Sequence, residues 1–241
     1  MNVYWLEQTE ADVPAENDWL SENEAACLST LRFTTRRTDW RLGRWTAKRA
    51  LSVCLNMPPH PQVFKKMEIR PAPSGAPQVF LASQPAAVAI SLSHRDGRAA
   101  CAIATSGAPI GCDLEIIEPR SDAFIADYFT TEEQAIVARA SAADRPRLLA
   151  LLWSAKESAL KALQQGLRLD TRSVTVSPSV ASFDRNGWSP VQVRYTQGKV
   201  FYGWWQNTDG IVRTVVAVQP LDSPIPLTTP AHFFDSASRC A

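Results

Sequence analysis

No run of about 18 consecutive apolar residues occurs anywhere in the sequence, so nothing in it asks for a bilayer-spanning helix. The opening Met1-Asn2-Val3-Tyr4-Trp5 turns acidic within a few residues. It has neither the basic flank nor the apolar stretch of a secretory leader, and the expected compartment is the cytoplasm. An excess of either charge is missing too: 25 Lys and Arg against 24 Asp and Glu leave a net charge of +1. That argues against a protein that coats nucleic acid or an anionic membrane by bulk charge, so an anionic ligand must be met by a local basic cluster. Cys27, Cys54, Cys101, Cys112 and Cys240 are odd in number, scattered and without a Cys-x-x-Cys pair. They read as reduced thiols rather than zinc or redox ligands. A Gly-x-x-x-x-Gly-Lys-Ser/Thr phosphate loop is absent, and no short repeat is apparent.

What is there suits an ordinary globular protein. Hydrophobic residues make up 45% of 241, enough for one large domain or two lobes of roughly 100 residues each. The patterning predicts a helix over 38–55, a proline-rich loop, and a hairpin with strands near 86–94 and 99–105 closed by Asp96-Gly97. Ser106-Gly107-Ala108-Pro109 marks a break. Beyond it the pattern predicts a strand over 110–117, helices over 131–142 and 146–165, and valine- and aromatic-rich strands to 218, with turns at Gln197-Gly198 and Asp209-Gly210. From 220 to 241, four prolines and many small polar residues suggest a tail, so packing is expected to end near 219. Each half then reads as helix followed by a small antiparallel sheet. Two similar lobes with a seam near 106–110 would leave a ligand cleft between them.

Three stretches carry candidate chemistry. In Ile110-Gly111-Cys112-Asp113-Leu114-Glu115-Ile116-Ile117, strand alternation puts Asp113 and Glu115 side by side on one face, close enough to converge on a hard cation. An exposed strand with a polar outer face would look the same. In the helix from Arg147 to Leu163, an apolar stripe of Leu148, Leu152, Ala155, Ala159 and Leu163 lies opposite Ser154, Glu157, Ser158 and Lys161. Glu157 and Lys161 are one turn apart, as catalytic partners or as a solvated ion pair. Ser91-Leu92-Ser93-His94 ends a strand just before the Asp96-Gly97 turn, where His94 could donate to a phosphate or simply sit half-exposed.

The early helix adds a basic stripe. Arg37, Arg41, Arg44 and Lys48 fall at i, i+4, i+7 and i+11 on one side of its axis, either facing an anion or paired with acids of the first thirty residues.

Together these motifs resemble the phosphopantetheinyl transferases of the large, single-chain, pseudodimeric class that activates surfactin-type peptide synthetases. Gly111-Cys112-Asp113-Leu114-Glu115 is similar to that family's Gly-x-Asp-x-Glu strand. Trp153-Ser154-Ala155-Lys156-Glu157 with Lys161 is similar to its Trp-Ser-x-Lys-Glu-x-x-x-Lys helix. Ser91-Leu92-Ser93-His94 resembles its Ser-His segment, and Tyr128-Phe129-Thr130-Thr131-Glu132-Glu133 its Phe-Ser/Thr-x-x-Glu segment. The resemblance spans about residues 30–220 and departs at Gly75-Ala76-Pro77, where many members read Gly-Lys-Pro.

The resemblance implies an α+β pseudodimer: two similar lobes, each a helix packed on an antiparallel sheet of about three strands, with the active site in the seam. Residues 1–108 would be the lobe that binds the coenzyme A nucleotide. Residues 109–219 would carry the metal strand and catalytic helix, and 220–241 the tail. It also implies transfer of phosphopantetheine from coenzyme A to a serine of an apo acyl- or peptidyl-carrier protein, by a monomer without nucleic-acid or membrane partners. Asp113, Glu115 and Glu157 would hold magnesium or manganese. Glu157, or water on the metal, would take the serine proton, and Lys161 would steady the leaving phosphate with help from Lys156. Arg37, Arg41, Arg44, Arg70, Gly75, Pro77, Ser93 and His94 would contact the nucleotide. Two rivals share these residues: a catalytically silent carrier-docking relative, whose mark would be a lost metal carboxylate, and a different magnesium-dependent phosphohydrolase.

Overall fold

The computed structural model describes residues 1–165, 168–178 and 187–228. Two long helices organise them, α2 (Thr34–Cys54) and α6 (Arg145–Ala162), each lying on its own sheet. In the first half, β1 (Tyr4–Thr9) pairs antiparallel with β6 (Arg98–Ala104), and β6 with β5 (Ala89–Arg95). In the second, β7 (Ile110–Ile116) pairs antiparallel with β11 (Ile211–Ala217). The sheet continues through β10 (Val200–Thr208), β9 (Ser189–Tyr195) and β8 (Val174–Pro178). Both halves thus run strand, long helix, hairpin, with the first strand against the last. Asp96-Gly97 and Asp209-Gly210 close the two hairpins with both residues of each at positive φ, as the sequence suggests.

The fold is α+β, with more strands than expected. Alternating burial along β9, with every second residue inside, fills the far side of a five-stranded sheet. The proline-rich loop holds a short helix, α3 (Pro61–Phe64), and a small sheet of β2 (Met67–Pro71), β3 (Pro77–Leu81) and β4 (Gln84–Pro85). Pro71 and Pro77 face each other at the turn end of the β2–β3 hairpin, where a missing amide costs little. Helix α2 starts four residues before the expected boundary. Strand β1 and the helices α1 (Glu22–Thr30) and α4 (Asp122–Tyr128) were not anticipated, while α5 (Thr131–Arg139) was.

The supposed tail also packs, at least as far as 228. Leu221 is buried, and the amides of Asp222, Ile225 and Leu227 donate to the carbonyls of Met1, Val3 and Trp5. The short strand β12 (Ile225–Pro226) therefore runs parallel to β1 and covers its edge. Residues 229–241, with Cys240, lie outside the described residues.

A repeat that the eye misses becomes plain in the packing. Trp45-Thr46-Ala47-Lys48 on α2 returns 108 residues later as Trp153-Ser154-Ala155-Lys156 on α6. Both lysines are fully buried. Each meets the glutamate of a capping box that starts the preceding short helix: Glu24 beside Ser21 for Lys48, and Glu133 beside Thr130 for Lys156, the latter at 2.7 Å. The remaining lysine donors reach the carbonyls of Trp19 and Phe64 in one case, and of Thr171 and Val174 in the other. Each glutamate also accepts an amide from the sheet side, Ile69 N or Val176 N. These fully bonded pins fasten a short helix to a long one in each half.

The halves share a third core of Val3, Trp5, Ala102, Cys112, Leu114 and Val215. At its edge β5 runs beside β7, joined by side chains: Ser91 Oγ accepts from Cys112 N at 2.9 Å and Ser93 Oγ from Leu114 N at 3.2 Å.

Candidate active site

Asp113 and Glu115 of β7 share one recess of about 420 Å³ with Trp153, Glu157 and Lys161 of α6. The helix can come this close because residue 111 is glycine. A Cβ there would lie 1.8 Å from the carbonyl oxygen of Ser158, so no side chain fits without moving the helix. Ser154 and Ser158, expected on the open face, are instead fully buried. Their hydroxyls meet Thr214 Oγ1 on β11 at 2.8 and 2.6 Å, which holds α6 flat on the sheet with Glu157 and Lys161 over the acidic strand.

The charges in the recess do not balance. Asp113 Oδ1 accepts from Ser93 Oγ and from Lys161 Nζ, both at 2.8 Å, while its Oδ2 is buried without a partner. Lys161 also donates to the carbonyl of Cys112 at 2.9 Å. Burial pulls the Lys161 amine down, but Asp113, Cys112 and Glu157 together outweigh it and the net shift is upward. Burial, then Asp113, pushes the Glu115 carboxyl up. Glu157 is pushed up to about 7 by burial and by Asp113, with Glu115 adding to the effect and Lys161 opposing it.

Among the described residues, no three metal-ligating side chains are gathered closely enough to hold an ion as they stand. Lys161 and Arg120 take up carboxylate oxygens of Asp113 and Glu115 instead. The donor set nevertheless fits a hard divalent cation. It offers oxygen ligands only, one of them buried and orphaned, and a like-charge repulsion that a cation would relieve.

That repulsion has a measurable consequence. A Glu157 carboxyl that holds its proton to about pH 7 when folded, against 4.5 for the ordinary group, makes the fold lose stability as pH rises from about 4.5 to 7. The loss is complete above that window. In the presence of a chelator at pH 8, Glu157→Gln is therefore expected to stabilise the protein by roughly 1–3 kcal/mol, after allowing for partial exposure. The gain should fade as pH falls to 5. Thermal melts at the two pH values check it, and a Gln variant no more stable at pH 8 would contradict the repulsion.

A cavity of about 1080 Å³ adjoins the recess, with Leu92, His94 and Lys161 lining both. Its wall is basic, with Arg36, Arg44, Arg70, His94, Lys161 and Arg168. It is large enough for a nucleotide-sized anion. Asp39 is a carboxylate in this lining, 3.9 Å from His94 Nδ1.

The expected nucleotide contacts divide. Arg44, Arg70, Gly75, Pro77 and His94 line the cavity, Arg70 with its guanidinium 4.2 Å from the Phe80 ring centroid and bonded to Glu68. Arg37 and Arg41 do not, because their guanidinia donate to the carbonyls of Leu28 and Leu31 and of Pro14 and Ala15. Ser93 spends its hydroxyl on Asp113 and the Leu114 amide. Lys156 is the buried pin to Glu133, its amine pulled down by burial, and reaches neither cavity nor recess.

The missed residues are Arg36, Asp39, Trp40 and Gly43, which with Arg44 form one face at i, i+3, i+4, i+7 and i+8. That spacing was readable. Choosing the stripe through Arg37 turned the helix by one residue.

Residues 109–216 match the family model of the 4′-phosphopantetheinyl transferase superfamily. That span includes Asp113, Glu115, Glu157 and Lys161 but not the first half of the chain. No curated protein matches the chain. Among the described residues, no helix is long and apolar enough to cross a membrane.

Proposed function

We propose that the chain, whose residues 109–216 carry the superfamily domain, transfers 4′-phosphopantetheine from coenzyme A to a serine of an apo acyl- or peptidyl-carrier protein. The observation that carries this reading is the junction of an acidic recess, Asp113, Glu115 and Glu157, with a basic cavity of nucleotide size through one shared lysine, Lys161. The reading extends to the architecture. Two lobes, 1–108 and 109–219, are two copies of one unit, supported by the shared strand order and by the repeated Trp-Thr/Ser-Ala-Lys pins. The short strand at 225–226 then belongs with the first lobe rather than with a tail.

In the proposed reaction the serine oxygen forms a bond to the β-phosphorus of coenzyme A. The bond from that phosphorus to the oxygen of 3′,5′-adenosine bisphosphate breaks. Glu157, the carboxylate that α6 presents in the recess, takes the hydroxyl proton as general base. Lys161, already fixed between Asp113 and the Cys112 carbonyl, presents its charge to the leaving phosphate. Arg36, Arg44 and His94 grip the nucleotide phosphates. A divalent cation, magnesium or manganese, held by Asp113, Glu115 and Glu157 would supply positive charge against the pyrophosphate oxygens.

Coenzyme A should stabilise the protein by about 2.7 kcal/mol at a hundred times its Kd, read as a rise in melting temperature. ATP should not. Equal stabilisation by ATP would favour the phosphohydrolase reading.

The Gly75-Ala76-Pro77 turn gives a second test. Its shape is set by backbone, with Ala72 N donating to the Ala76 carbonyl at 2.8 Å and Gly75 at φ +89°, so a lysine at 76 should be tolerated. Ala76→Lys is expected to lower KM for coenzyme A about five-fold with kcat little changed, one charge-assisted bond in an open cleft. An unimproved lysine variant together with a crippled Arg70→Ala enzyme would mean that Arg70 already fills this role.

A further inference from the structure

We infer that Arg120 is a built-in competitor for the cation at the acidic recess: it holds Glu115 in the metal-free protein and yields it to the metal. The inference rests on the reading of Asp113, Glu115 and Glu157 as the cation's ligands.

Arg120 sits in the short link between β7 and α4, beside Pro119 and next to Ser121, whose hydroxyl caps α4. One nitrogen of its guanidinium, Nη2, lies 3.1 Å from Glu115 Oε2 and 3.1 Å from Glu118 Oε1. Arg120 is thus shared between a buried carboxylate inside the recess and an exposed one outside it. Glu118 is in turn bonded to Arg95 Nη2 at 3.1 Å. The guanidinium lies over the ring of Phe124, 5.1 Å from its centroid, which keeps it at the rim when its hold on Glu115 is lost. Glu118 and Phe124 are therefore a ready resting place a few ångströms from Glu115.

Three cations border the recess: Arg95 is bonded to Glu118 rather than to a recess carboxylate, and the two that hold a recess carboxylate, Lys161 and Arg120, are not equivalent. Lys161 occupies Asp113 Oδ1 and leaves Oδ2 free to bind, so it can stay when a cation arrives. Arg120 likewise takes one oxygen of its carboxylate, Glu115 Oε2, but whereas Lys161 is also tied to the Cys112 carbonyl, Arg120 already shares its nitrogen with Glu118 outside the recess, and a guanidinium and a divalent ion held on one carboxylate repel each other. Metal binding therefore displaces Arg120 towards Glu118, and the energy of the broken pair is taken from metal affinity. Removing the competitor strengthens binding, whereas removing a residue that merely braces Glu115 would weaken it.

Calorimetric titration of the full chain with manganese alone, without coenzyme A, tests this on the wild type, Arg120→Gln, Arg120→Lys and Asp113→Asn. Arg120→Gln is expected to bind manganese about 3- to 10-fold more tightly, with Arg120→Lys between it and the wild type and Asp113→Asn much weaker. Circular dichroism checks that each variant is folded. If the wild type binds, Asp113→Asn does not, and Arg120→Gln is unchanged or weaker, the competitor role is overturned while the ligand reading stands. If the wild type takes up no manganese, or Asp113→Asn binds as well as it does, the ligand reading fails and the inference with it.

Discussion

Asp113→Asn is expected to yield a folded protein that still binds coenzyme A but transfers at least about a hundredfold more slowly, on the scale of losing a preorganised charge contact at a reacting phosphate. The substitution keeps shape and the hydrogen bonds from Ser93 and Lys161 while removing the charge. The fold should tolerate it, since the weakened pair with Lys161 is offset by relief of the repulsion that Asp113 exerts on Glu115 and Glu157. Mass spectrometry of the carrier gives the rate, and a thermal shift with coenzyme A gives the binding. Near-normal transfer by the folded variant would remove Asp113 from the mechanism.

The second large effect is on stability rather than rate. Lys156→Met leaves Glu133 as a buried, unpaired charge, which typically costs about 3–5 kcal/mol. At roughly 2–4 °C per kcal/mol for a chain of this size, melting should fall by about 6–20 °C. The double variant Glu133→Leu/Lys156→Met removes both charges and should recover much of the loss, with coenzyme A affinity near that of the wild type. Lys48→Met, in the matching pin of the first half, should behave alike. A Lys156→Met protein that melts like the wild type but no longer binds coenzyme A would restore Lys156 to the ligand site.

Lys156 also marks where sequence reading ran out. It belongs to the same short motif as Glu157, and motif spacing alone cannot tell the residue that faces the recess from its neighbour, which is turned by about 100° into the core. The acidic strand was easier. Period-two alternation sends Asp113 and Glu115 to one face whatever packs on them, and the structure places both in the recess while Cys112 and Leu114 join the shared core, although the strand is buried on both faces.

Spacing alone did not say which helix face meets the cavity. The stripes through Arg36 and through Arg37 both fit a 3.6-residue period, and only the packing shows that Arg37 and Arg41 are drawn to the carbonyls of Leu28, Leu31, Pro14 and Ala15. Strand β1 and residues 220–228 were hidden for a related reason. They hold each other through backbone hydrogen bonds, to which side-chain patterning is blind. The repeat at Lys48 and Lys156 escaped because it lies in four residues of each half, and its partners Glu24 and Glu133 sit on separate helices.

Incubating the purified chain with coenzyme A, magnesium and a panel of apo carrier proteins, and weighing the carriers, tests the central claim most directly. The expected result is the mass of one phosphopantetheine added to at least one carrier, dependent on the metal and lost when the carrier's acceptor serine is replaced by alanine. A folded protein that binds coenzyme A yet leaves every carrier in the panel at its starting mass would contradict the transferase account and favour a carrier-docking protein without activity.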